Sequence, residues 1–66
     1  MSKNKSNMYV VIWIGGDRDG EIMGATLTEG EAINMARKLY DEHQDEFHPT
    51  WGGIGIVAPD GSDVEW

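Results

Sequence analysis

The sequence predicts an α+β fold of order ββαββ: a four-stranded antiparallel sheet, strand order 2-1-3-4, with one helix packed on one face. Three observations predict it. A β-branched and aromatic run over residues 8–14 stops at Gly15-Gly16; such a run is too short for a helix and is bounded by turn formers. Thr28-Glu29-Gly30-Glu31 has the form of a capping box and opens an amphipathic stretch. Pro59-Asp60-Gly61-Ser62 is a turn placed before a short alternating tail.

Residues 1–7 hold nothing apolar after Met1 and are expected to be a disordered tail, leaving one domain over residues 8–66. Strand 1 covers residues 8–14. Residues 15–20 are dense in Gly and Asp, and a second strand over residues 21–27 completes a hairpin. A helix follows from about residue 29 to 43. Ala32, Ile33, Ala36, Leu39, Tyr40 and His43 recur at three- and four-residue spacing, while Asn34, Arg37, Lys38, Asp41 and Glu42 take the other side. Glu29 and Glu31 lie in the first turn, where the helix dipole favours them. Residues 44–50 connect to a third strand over residues 51–58, with Phe47 turned back onto the core. Residues 63–66 form the last strand, whose Asp63 and Glu65 suit a sheet edge. Strand 1 is placed centrally because it is apolar on both faces, and the helix makes a right-handed crossover from strand 2 to strand 3.

One helix covers one face of such a sheet. Val10, Ile12, Ile14, Ile54, Ile56 and Ala58 are expected beneath it. Parity then sends Tyr9, Val11, Trp13, Trp51, Gly53, Gly55 and Val57 to the other face. Aromatic rings carry large areas, and an uncovered patch of this kind marks an interaction site. The alternative is that Trp13 and Tyr9 lie flat over Gly53 and Gly55 and shield them.

The chain has 66 residues, a formal net charge of −7 and no cysteine. Five Lys and Arg against twelve Asp and Glu argue against direct binding to nucleic-acid phosphates and to anionic membranes. Neither a disulfide framework nor a thiolate zinc site is available to a domain small enough to benefit from one. Burying the open face against a twin would serve instead, so a homodimer is expected. No apolar run is long enough for a membrane span or a signal peptide, which makes a soluble, cytoplasmic protein the expectation.

Chemistry-bearing patterns are sparse. Asp17-Arg18-Asp19-Gly20-Glu21 collects oxygen ligands, but an EF-hand register fails because strands flank it and its outer positions are Gly15 and Thr26. Gly15-Gly16 beside aspartates would repel a phosphate. His43 and His48 match no metal-ligand spacing, and His43 suits the negative end of the helix dipole. No nucleophile–base signature is present, so the chain is read as non-catalytic, with no cofactor and no metal. Asp41, Glu42, Asp45 and Glu46 form an acid cluster that is either a solvated surface or a face steering onto a basic partner.

Taken together, the order strand, Asp/Gly turn, strand, Thr28-x-x-Glu31 helix, strand, Pro59-Asp60-Gly61 turn, strand over residues 8–66 resembles small acidic proteins of bacteria and their phages. These include inhibitors of host defence such as anti-CRISPR proteins, some of which imitate nucleic acid. The resemblance implies an anti-defence inhibitor and assigns no functional residue. The reading is therefore a protein-binding module, dimeric and acidic, that inhibits or regulates a basic nucleic-acid-handling protein. Its expected contacts are Tyr9, Val11, Trp13, Trp51, Val57, Asp41, Glu42, Asp45 and Glu46. A small accessory domain that binds a small ligand over the Gly- and Trp-lined sheet face is the alternative.

Overall fold

The computed structural model describes residues 7–47, 49–50 and 52–66. Four strands, β1 (Tyr9–Ile14), β2 (Ile22–Thr26), β3 (Gly53–Val57) and β4 (Asp63–Val64), form one sheet in the order β2-β1-β3-β4. Every pairing is antiparallel. The helix α1 (Glu29–Glu42) packs on one face, so the α+β architecture and strand order expected from the sequence are those of the protein.

Local chemistry explains the boundaries. Between β1 and β2, Gly15 and Gly16 both have positive φ, 86° and 71°, which side chains with a Cβ rarely adopt. Asp19 is spent inside this turn, where its carboxylate accepts from the Gly15 N–H at 2.7 Å. Thr28 caps α1: its hydroxyl oxygen accepts from the Glu31 N–H at 3.2 Å. The Glu31 carboxylate accepts from the same hydroxyl at 3.0 Å, so the capping pair closes side chain to side chain. In the last turn, Asp60 accepts from the N–H and the hydroxyl of Ser62, at 2.9 and 2.6 Å.

The core consists of Val11, Trp13, Ala32, Ala36, Ile54 and Ile56. Two alanines on the inner stripe of α1 let the helix backbone approach the sheet, and Met35 rests over Gly24. This packing reverses the face assignment expected for β1. Val11 pairs with Ile56 and Trp13 with Ile54, so these four share the helix-covered face. Val11 and Trp13, expected on the uncovered face, are 0% and 2% exposed; Tyr9 is half-buried against the same core. The physical reason is the register. A shift by one residue carries a whole strand to the opposite side, and the large Trp13 indole gains more from burial than Ile14. Val10, Ile12 and Ile14 therefore occupy the uncovered face, with Gly53, Gly55 and Val57 of β3. Val57 alone among the predicted contacts on β1 and β3 that are described keeps its place there. A bulge in β2 leaves Met23 opposite no residue of β1: Val11 pairs with Gly24 and Ile12 with Ile22.

Trp51, His48 and the first six residues of the expected tail lie outside the described residues. The fourth strand is shorter than expected. Beyond it, Trp66 turns inward and its indole N–H donates to the Ile54 carbonyl at 3.2 Å.

Candidate functional site

The uncovered sheet face is built by alternation on β1 and by absence on β3. Val10, Ile12 and Ile14 project from the central strand, and on β3 the matching positions are Gly53, Gly55 and Val57. Glycine leaves a depression that Ile14 crosses: its Cδ1 lies 2.7 Å from where a Cβ on Gly55 would sit, and Cγ1 of Ile12 lies 3.5 Å from the same point. Cover over Gly55 thus comes from isoleucine, and not from Trp13 and Tyr9 as the alternative reading of the sequence had it, while Gly53 has nothing within 4 Å of its Cβ position.

A groove of about 490 Å³ along the β3–β4 side of this face is lined by Ile12, Ile14, Val57, Asp63 and Glu65 and reaches Trp66, whose ring meets Tyr40 of α1 edge-on at 6.2 Å. Asp63 pairs with Val57 and so shares the open face. Ile14 is 38% exposed, and Ile22, brought to the same face by pairing with Ile12, is 67% exposed. Among the described residues, the cations are Arg18, Arg37 and Lys38; two are on α1 across the sheet, and the third is in the turn after β1. The groove is therefore apolar at its floor and negative at its β4 rim.

The acid cluster lies elsewhere, at the far end of α1. Asp41 and Asp45 are exposed. Glu46 is engaged by His43 at 2.6 Å and by Arg18 at 3.6 Å. The hydrogen bond from His43, together with the positive charge of Arg18, holds the Glu46 carboxyl below its ordinary value, against a smaller opposing cost of desolvation. The Arg18 guanidinium also sits 4.9 Å from the centre of the Trp13 ring. Glu42 borders a second groove with Met23 and Met35. The predicted contacts consequently do not form one surface. Trp13 is enclosed by His43, Phe47 and Arg18, and Glu46 pairs with two of these, His43 and Arg18.

Sequence reasoning missed Ile14, Ile22 and Trp66 as surface residues. The Gly-Ile-Gly-Ile alternation of β3 marked which side of that strand is bare, and the register with β1 supplies the rest. Among the described residues, no group of three or more His, Asp or Glu side chains is arranged to hold a metal ion. No helix among them is long and apolar enough to cross a membrane. No family model, curated protein or solved structure matches this chain.

Proposed function

We propose that this protein is a non-catalytic binding module that docks on a protein partner through the uncovered sheet face and inhibits or regulates it. The observation that carries the reading is the exposure of Ile14 and Ile22 on a face that α1 leaves bare. Apolar surface left open on a small domain gains when a partner covers it. Asp63 and Glu65 at the rim, and a net charge of −7 on the chain, favour a partner whose surface is aliphatic at its centre and basic around it. Proteins that grip nucleic-acid phosphates present basic surfaces of this kind.

Charge reversal tests the electrostatic half. Asp63→Lys/Glu65→Lys is expected to slow association with a captured basic partner and to flatten its dependence on salt. Unchanged association at low and high salt would refute the basic-partner reading. A second reading has the size of the groove in its favour, about 490 Å³, which suits a small ligand. Saturable shifts of Ile12, Ile14 and Val57 resonances by a small cationic amphiphile, with no protein captured, would favour that alternative.

A further inference from the structure

The groove on the β3–β4 side of the open face combines an aliphatic floor with a charged rim. Ile12, Ile14 and Val57 line the floor, and Asp63 and Glu65 line the rim. Among the described residues, neither of these carboxylates has a hydrogen-bond or ion-pair partner. Several other acids are engaged locally: Asp19 holds the turn after β1, Asp60 accepts from Ser62, Glu31 closes the helix cap, and Glu46 meets His43 and Arg18. Arg18, Arg37 and Lys38, the described cations, line no part of the groove. At its end, Trp66 is held by its N–H on the Ile54 carbonyl and by its contact with Tyr40, yet remains 40% exposed.

We infer that this groove receives an arginine side chain of the partner protein, its stem along Ile12 and Val57 and its guanidinium between Asp63 and Glu65. The inference rests on the docking role proposed for this face and names what the partner inserts there. A partner that covers Ile14 with aliphatic side chains also takes water from Asp63 and Glu65. A carboxylate left unpaired without water is costly, so the partner brings a cation with its apolar surface. The shape of the rim favours arginine over lysine. Asp63 faces this side because it pairs with Val57, and Glu65, two residues on, lines the same groove. Alternate residues of an extended chain stand about 6–7 Å apart. A planar guanidinium with five donors can turn one edge to each carboxylate, whereas an ammonium is a compact charge that sits against one. The arginine stem covers apolar floor while its head stays with the acids, and a guanidinium stacks readily on an indole such as that of Trp66. This fold already holds one arginine in such surroundings: Arg18 lies 4.9 Å from the centre of the Trp13 ring and pairs with Glu46 at 3.6 Å.

The probe is the peptide acetyl-Ser-Ile-Arg-Ile-Ser-amide, titrated into the full chain and followed by nuclear magnetic resonance. It is expected to give saturable shifts of the Trp66 indole N–H and of the Ile12, Ile14 and Val57 methyls. The lysine counterpart is expected to bind at least about threefold more weakly, and the citrulline counterpart, which keeps the shape without the charge, at least about tenfold more weakly. Asp63→Asn/Glu65→Gln is expected to weaken the arginine peptide about tenfold or more. Asp41→Asn/Asp45→Asn, the same change of charge at the end of α1, leaves it within about twofold. No saturable shift, equal binding of the three peptides, or equal effects of the two variants would each overturn the inference. N-acetylarginine amide binding as tightly as the peptide would give the groove to a free small cation and overturn it too. So would binding seen only in Lys3→Ser/Lys5→Ser, which would give the groove to the lysines of this chain. Partner capture lost by Ile14→Asp but kept in full by Asp63→Asn/Glu65→Gln would remove the arginine and leave the docking face standing; capture kept by Ile14→Asp would remove both.

Discussion

Ile14 lies across Gly55, its Cδ1 2.7 Å from the point a Cβ there would occupy. The contact joins the central strand to a residue without a side chain, and it sets the height of the apolar floor that the open face presents. Gly53, two residues away on the same face, has nothing within 4 Å of its Cβ position.

The two glycines are therefore expected to respond differently. Gly55→Ala must move the far end of the Ile14 side chain and is expected to cost about 1 kcal/mol. Gly53→Ala meets open space and is expected to be neutral or to stabilise by up to about 1 kcal/mol, since alanine loses less conformational freedom on folding. Urea unfolding of both variants checks the difference; equal effects would contradict the packing described.

Trp13 is a core residue, 2% exposed and in ring contact with His43 and Phe47. Trp13→Ala is expected to cost about 3–5 kcal/mol. A domain of this size holds little more than that in reserve, so the variant should lose its cooperative melt. A folded Trp13→Ala chain that had lost only partner binding would restore the indole to the surface.

Acid stability follows from two depressed carboxyls. Hydrogen bonds from Ser62 hold Asp60 below its ordinary 3.8, and the His43 hydrogen bond with the charge of Arg18 holds Glu46 below 4.5. A carboxyl whose folded-state value is lowered adds stability that is complete above its unfolded value and is lost as pH falls through the folded one. Melting temperature is thus expected to decline below about pH 4.5, and Glu46→Gln with Asp60→Asn should flatten that decline. An acid limb of unchanged steepness in the double variant would show that other groups set it. Both carboxylates are exposed, so the effect is small.

Much of the fold is legible in local sequence. Thr28 with Glu31, the positive-φ glycines at 15, 16 and 61, and the Pro59-Asp60-Gly61 corner are short-range signals, and the structure uses each of them. The orientation of β1 is not legible in the same way. Residues 8–14 are apolar at every position, so alternation cannot say which side is inside. That is decided by pairing with β3, a contact across some forty residues of chain, through Val11 with Ile56 and Trp13 with Ile54. The Trp66 hydrogen bond to Ile54 is likewise a closure between separate segments of chain. As a result, the existence of an uncovered face was readable, while the residues that populate it were mostly exchanged for their neighbours.

The most direct measurement is partner capture by the wild-type chain and by two variants. Ile14→Asp places a charge at the centre of the open face, and Asp41→Lys/Asp45→Lys reverses the exposed carboxylates at the end of α1. The account predicts that Ile14→Asp, with an unchanged circular dichroism spectrum, loses at least about tenfold in affinity for the captured protein, whereas the α1 variant stays within about threefold. Full retention of binding by Ile14→Asp would contradict it.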